Sequence, residues 1–530
     1  MVRKTIRRLA FAVEISMLFT SAGGVCAAGF DVVGKSIVQL GEAQTQKQVT
    51  SLALVEAYLA RIDQLDRRGP ALHSVIAINP SARDQARALD AERAAGKLRG
   101  PLHGIPILVK DNIETADPMP TTAGSLALAD NRTNRDAPAI ARLRAAGVVI
   151  LGKTNLSEWA NIRSSSSVSG WSAVGGQTRN PYALDRNACG SSSGSGAAVA
   201  ASLAAAAIGT ETDGSITCPS SMNGLVGIKP TVGLVSRTYV VPISHSQDTP
   251  GPMTHTAADA KLLLDAMAGS DAADPATREA DARRTKPASI GASAKGLRIG
   301  VSRIGAGLPA VKTLLDSQVE ALKRAGATLV EVELPSDTGK LNDMEMTVLL
   351  TELKADMATY LGALPKANVR TLADVIAFNK AHAQQEMPIF AQELFERAEK
   401  TKGLEDPEYR SALEQSRQIA GRDGLDKVLA AEKLVAIIAP TMGPAFPIDP
   451  INGDAINASG PGNFPAIVGY PHVTIPMGLV QGLPVGLSII GPAWADQDML
   501  ALAAILEKLI APIPAPTYAS SLDEPLLRGK

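Results

Sequence analysis

Three observations predict an α/β fold. Residues 296–301, 311–325 and 328–332 read strand, helix, strand, the pattern of two parallel strands joined by a crossover helix. Short apolar runs at 105–109, 148–151, 225–228, 435–439, 473–476 and 485–490 have the length of strands covered on both faces. At 530 residues and 45% apolar content the chain can bury a large core, and α/β enzymes of this length often form one unit.

The N-terminal stretch has Lys4, Arg7 and Arg8 ahead of an apolar run over 9–19, then small residues up to Ala28. This is the layout of a secretory signal cleaved after Ala27 or Ala28, so the mature protein is expected to be periplasmic or secreted. No later stretch approaches the ~18 apolar residues that span a bilayer, and no membrane partner is expected. Residues 50–67 and 82–96 carry helical periodicity with a charged face and read as surface helices. The run 105–109, interrupted only by Pro106, is a buried strand that delivers Lys110 at its end, with Asp111 on the opposite face.

Residues 136–146 form an amphipathic helix, and 148–151 a second buried strand. Gly147 to Thr154 spells G-x-x-x-x-G-K-T. A phosphate loop needs an exposed turn of backbone N–H groups between strand and helix, which an apolar strand does not supply, so nucleotide binding is rejected. Further on, the Pro- and Gly-punctuated run 242–252 is suited to wall a pocket. Residues 271–293 read as a surface linker, and 341–429 as a helical cap on the sheet with no identifiable chemistry. Strands at 473–476 and 485–490 join around Gln481-Gly482, and 497–510 closes the chain as a helix.

Chemistry concentrates in residues 189–219, CGSSSGSGAAVAASLAAAAIGTETDGSITCP. Two polar Ser/Gly loops, 190–196 and 210–215, bracket a segment that is apolar all round except for Ser202 and therefore reads as buried. A helix over 194–204 advances ~16 Å at 1.5 Å per residue, and an extended 205–210 returns ~20 Å at 3.3 Å per residue. The loops then meet. Ser191 comes near Ser215, with the backbone N–H groups of Thr212, Asp213 and Gly214 facing a developing oxyanion.

Cys189 and Cys218 stand at the two ends of this stretch. Two buried thiols are the simpler reading, with a disulfide the alternative in an oxidising compartment. Three cysteines and six scattered histidines make no metal spacing, so neither metal nor cofactor is expected. The charge balance, 52 basic residues against 53 acidic, leaves no electrostatic footprint for nucleic acid. Gly190 to Gly194 also fits the nucleophile elbow G-x-S-x-G, with Ser192 as nucleophile and His472 as base. That elbow needs a strand running straight into it, and 180–188 (NPYALDRNA) reads as turn, so the elbow is not adopted.

With these residues in view, the chain resembles the amidase signature family of serine hydrolases, and within it bacterial peptide amidases. The resemblance runs from about Val49 to the final helix and rests on GIPILVKDNI (104–113), TTAGS (121–125), GKTNLSEWA (152–160), GGQTRNP (175–181), the serine stretch, GLVGIKPTVGLVS (224–236) and GLPVGLSIIG (482–491). It implies one α/β/α domain on a mixed sheet over 29–530, with a catalytic core over about 49–260 and 430–511. It implies a triad of Lys110, Ser191 after a cis peptide, and the nucleophile Ser215, with an oxyanion hole from the backbone of Thr212 to Ser215. The implied substrate is the C-terminal carboxamide of a peptide or blocked amino acid, taken by a monomer without cofactor. Other amides (aryl, fatty or oligomeric) are the alternative within the family. A periplasmic solute-binding protein explains the leader but not Lys110 with two serine loops. The A subunit of glutamyl-tRNA amidotransferase shares the motifs, but export would separate it from tRNA.

Overall fold

The computed structural model describes residues 30–335 and 338–522, so the leader over 1–28 lies outside the described residues. In chain order the strands are β1 (Val75–Ile78), β2 (Pro106–Lys110), β3 (Val149–Thr154), β4 (Trp171–Ser172), β5 (Gly176–Gln177), β6 (Arg179–Asn180), β7 (Ala183–Asn187), β8 (Ala206–Glu211), β9 (Val226–Lys229), β10 (Thr249–Thr254), β11 (Arg298–Ser302), β12 (Thr328–Val332), β13 (Ala436–Pro440), β14 (His472–Val480) and β15 (Leu483–Ile490). Eleven of them form one sheet in the order β1-β3-β2-β8-β10-β9-β14-β15-β13-β11-β12, while β4 with β5 and β6 with β7 make two small hairpins. Strands β3, β2 and β8 run parallel, as do β13, β11 and β12. The remaining neighbours are antiparallel. The sheet is mixed, as the resemblance implies.

Successive strand residues point to opposite faces. Every residue of β2, β3, β8, β9, β10, β13 and β15 is buried, so both faces of the sheet are covered. Helices Ala257–Met267, Pro309–Arg324 and Asp496–Glu507 supply cover with apolar faces such as Leu263, Leu315 and Leu502. No helix among the described residues is long and apolar enough to cross a membrane. The phosphate-loop lookalike is strand β3, laddered to β2 on one side and β1 on the other, which rules out a cradle of free N–H groups there.

The serine stretch departs in detail from expectation. Its helix is Ser193–Ala200, ending four residues early where Ser202 turns left-handed at φ 54°, and β8 makes the return. Gly194 in this helix passes so close to Ser74 and Asn155 that a Cβ would stand 2.3 Å from one carbonyl oxygen and 2.5 Å from the other. Only glycine fits there. The stretch before the serines is not all turn, since Ala183–Asn187 pairs with β6. Residues 271–293 are not merely linker either, because they hold a 3₁₀ turn, Pro275–Glu279, and the helix Ala280–Arg284. The cap is helical and has its own core around Leu353, Met357 and Phe395.

Candidate active site

Parallel pairing of β2 with β8 sets Val109 beside Ile208, so the carboxyl ends of both strands emerge at one edge. Lys110 and Thr210 therefore meet. Lys110 is fully buried, and its Nζ lies 2.8 Å from Ser191 Oγ, 2.8 Å from Thr210 Oγ1 and 3.2 Å from Thr210 O. Asn112 Nδ2 also donates to Thr210 Oγ1, at 2.9 Å. No carboxylate touches Lys110 within salt-bridge distance among the described residues. Burial is the main influence on it and lowers its pKa from 10.5 to about 7, against the opposing pull of Asp248 and Glu211 through space.

Ser191 follows a cis peptide from Gly190, as the resemblance implies, and is fully buried. The two serine loops are joined twice. Ser192 N donates to Ser215 O at 3.1 Å, and Cys189 is disulfide-bonded to Cys218 with Cα atoms 5.9 Å apart. The bond replaces the two free thiols read from sequence, which leaves Cα separation undetermined. No hydrogen bond joins the Ser191 and Ser215 hydroxyls directly among the described residues.

Past β8 the chain turns back on itself around the Glu211 carboxylate, whose Oε2 accepts from the N–H groups of Ile216 at 2.7 Å and Thr217 at 2.8 Å. Gly214 takes φ 76°, which favours glycine, and a Cβ there would meet open space. The N–H groups of Asp213, Gly214 and Ser215 donate to no protein acceptor among the described residues. Thr212 is tied down by its side chain instead, with Oγ1 donating to Asp248 Oδ1 at 2.6 Å. Asp248 in turn accepts from the N–H groups of Ile243 and Ser244. Burial raises its carboxyl to about 6 despite these donors.

Thr212, Asp213, Gly214 and Ser215 line a cavity of about 570 Å³, together with Ile243 from the run expected to wall a pocket. Lys110 and Ser191 stand behind this wall rather than in it. The cap also reaches the cavity, through Asn342, Glu345, Met346 and Leu349 of helix Thr338–Gly362. The cap, expected only to pack on the sheet, thus also lines the cavity. Gln247 Nε2 donates to Glu345 Oε1 at 2.8 Å and to Thr212 O at 3.4 Å, linking cap and loop.

Sequence reasoning missed Thr210, Asn112, Gln247, Asp248 and Glu345. Thr210 lay in the stretch already singled out and Asn112 two residues past Lys110, whereas Glu345 is one acid among many on a long helix. The elbow's residues are not brought together: Ser192 Oγ donates to Thr210 O at 3.1 Å and accepts from Thr210 N at 3.3 Å, while His472 Nε2 engages Ser488.

The amidase family model matches residues 53–500. A probable amidase of Arabidopsis thaliana is 40% identical over 491 residues, covering 90% of each chain. The crystal structure of native peptide amidase from Stenotrophomonas maltophilia is 47% identical, covers 91% of this chain and 98% of its own, and superposes with a TM-score of 0.86. A peptide amidase structure in complex with the competitive inhibitor chymostatin is also 47% identical, covers 92% of this chain and all of its own, and has a TM-score of 0.87.

Proposed function

Since the chain belongs to the amidase family and is thus an enzyme that hydrolyses linear amides, we propose that it cleaves the C-terminal carboxamide of peptides or blocked amino acids to a carboxylate and ammonia. Ser215 is the nucleophile, Ser191 relays protons, and Lys110 is the base. One observation carries this assignment: a lysine with no carboxylate in contact, its pKa lowered to about 7, lies 2.8 Å from a serine hydroxyl behind the Ser215 loop.

A serine hydroxyl attacks well only when a neighbour takes its proton. Neutral Lys110 satisfies all three of its contacts when its two N–H bonds serve Thr210 and its lone pair accepts from Ser191 Oγ. Ser191 can then take the proton of Ser215 as that oxygen bonds the amide carbon. The backbone of Thr212 to Ser215 stabilises the oxyanion, the N–H groups of Asp213, Gly214 and Ser215 having no protein acceptor among the described residues. As the carbon–nitrogen bond breaks, the proton returns through Ser191 to the nitrogen and ammonia leaves. Water then repeats the sequence on the acyl-enzyme, releasing the carboxylate.

Likeness to peptide amidase supports the choice of substrate class. Ammonia release from a panel of peptide amides, aryl amides and fatty amides tests it, and preference for an aryl or fatty amide contradicts it. Ser215→Ala should abolish both turnover and labelling by a serine-directed phosphonate; survival of either removes Ser215 from its role. Action in the periplasm or outside the cell belongs to the same proposal, supported by the leader pattern and by a disulfide suited to an oxidising compartment. Intact mass of the exported protein checks it, with a cytosolic product beginning at Met1 as the contrary result.

A further inference from the structure

The cavity in front of Ser215 is rich in acceptors. Its lining includes the acids Asp213 and Glu345, and no described residue lining it is Lys or Arg. Asp213 is exposed to the cavity. Glu345 is only 6% exposed, held from behind by Gln247 through Oε1. The same amide nitrogen of Gln247 reaches Thr212 O, on the peptide leading into Asp213, which ties Glu345 to the loop that carries Asp213, and both acids line the one cavity.

The second observation is independent of these acids. His472 lines the same cavity and is 1% exposed, and its Nδ1 has no hydrogen-bond partner. Ser488 Oγ donates to Thr441 Oγ1 at 2.9 Å and so receives the Nε2 proton of His472 at 2.6 Å, which leaves Nδ1 as a bare acceptor. Burial lowers the pKa of this ring to about 3, so it stays neutral.

Two neighbouring carboxyls in one pocket resist simultaneous ionisation. Burial and then the charge of Asp213 raise Glu345 well above the ordinary range. Lys229 bonds to Pro230 O and is not part of the cavity wall. A cation placed between the two carboxyls would relieve their repulsion and hydrogen-bond to both.

Building on the carboxamide reading, we propose that Asp213 and Glu345 form a subsite for an alkylammonium group on the acyl part of the substrate, with His472 Nδ1 accepting another N–H of the same molecule. The ammonium is either the free α-amine of the residue attacked or its side chain. Because ammonia is the leaving group, the cavity has only the acyl part to recognise.

Two substrate pairs separate the sources: Nα-acetyl-lysinamide against Nα-acetyl-norleucinamide, and leucinamide against Nα-acetyl-leucinamide. For the wild-type enzyme, kcat/KM should favour the charged member at least tenfold in one pair, and that pair identifies the ammonium. Glu345→Gln should bring the same ratio to within about threefold of unity. A wild-type ratio near one in both pairs overturns the subsite without any need for the variant, as does a ratio that Glu345→Gln leaves unchanged. Failure to release ammonia from all four amides, the neutral ones included, overturns the carboxamide reading and the subsite with it.

Discussion

Lys110 ends β2 and Lys153 is the penultimate residue of the neighbouring parallel strand β3, and both are completely buried. Burial pushes the pKa of each downward. Their partners differ. Lys153 Nζ lies 3.5 Å from Asp111 Oδ1 and donates to Ile113 O at 2.6 Å and Thr121 Oγ1 at 2.8 Å, so a countercharge and two acceptors hold it as a structural cation. Lys110 has hydroxyls and a carbonyl but no carboxylate in contact. A buried lysine without a countercharge gives up its proton readily, and this one faces a serine that can use it. Burial marks both residues, and the chemistry of the partner decides which one can act as a base.

The largest expected effect of breaking this contrast is on activity. Lys110→Met, which keeps volume but removes the amine, should lower kcat by on the order of 10³–10⁴-fold, with a melting temperature close to wild type because no buried charge is stranded. In Lys153→Met the damage should move to stability. Asp111 then loses its countercharge, which costs about 3–5 kcal/mol, measured by urea unfolding, whereas activity per folded molecule stays near normal. Asp111→Asn in the Lys153→Met background should recover part of that loss.

Reducing the Cys189–Cys218 bond should act on both loops at once. The bond spans a sequence separation of 29 residues, and loop-closure entropy assigns it about 3.6 kcal/mol. Cys189→Ser with Cys218→Ser should lower stability by roughly that amount and loosen the hold of the Ser191 loop on Ser215, read as a fall in kcat. The smallest effect is expected from Thr210→Val, which removes the hydroxyl shared by Lys110 and Asn112 and costs about 1–3 kcal/mol of stability, again read by urea unfolding.

Much of this was legible in the sequence because it depends on local pattern. Continuous apolar runs mark β2, β3 and β15, and a small polar loop on each side of a buried segment brings Ser191 toward Ser215. What escaped depends on distance in space. The cysteine pairing rests on a Cα separation that composition does not encode. Strand β7 (ALDRN) pairs only within a two-stranded hairpin, with intermediate or exposed residues at its centre, so it lacks the apolar alternation that identifies strands. Glu345 reaches the cavity from a helix more than a hundred residues away in sequence, with no motif to announce it.

The pH dependence follows from the same contrast. Lys110 must be neutral to accept a proton, so kcat/KM for an uncharged amide should rise tenfold per unit toward about 7 and then level off. The folded pKa is depressed from 10.5, so the favourable fit of the neutral amine is complete above the free-lysine value and is lost as pH falls through about 7. The most direct test is the rate at which a serine-directed phosphonate labels Lys110→Arg, whose guanidinium stays charged across the accessible pH range. The account predicts a folded protein that is not labelled between pH 5 and 9, while wild type is labelled increasingly fast up to about pH 7. Labelling of Lys110→Arg at the wild-type rate at neutral pH would contradict the neutral-lysine base.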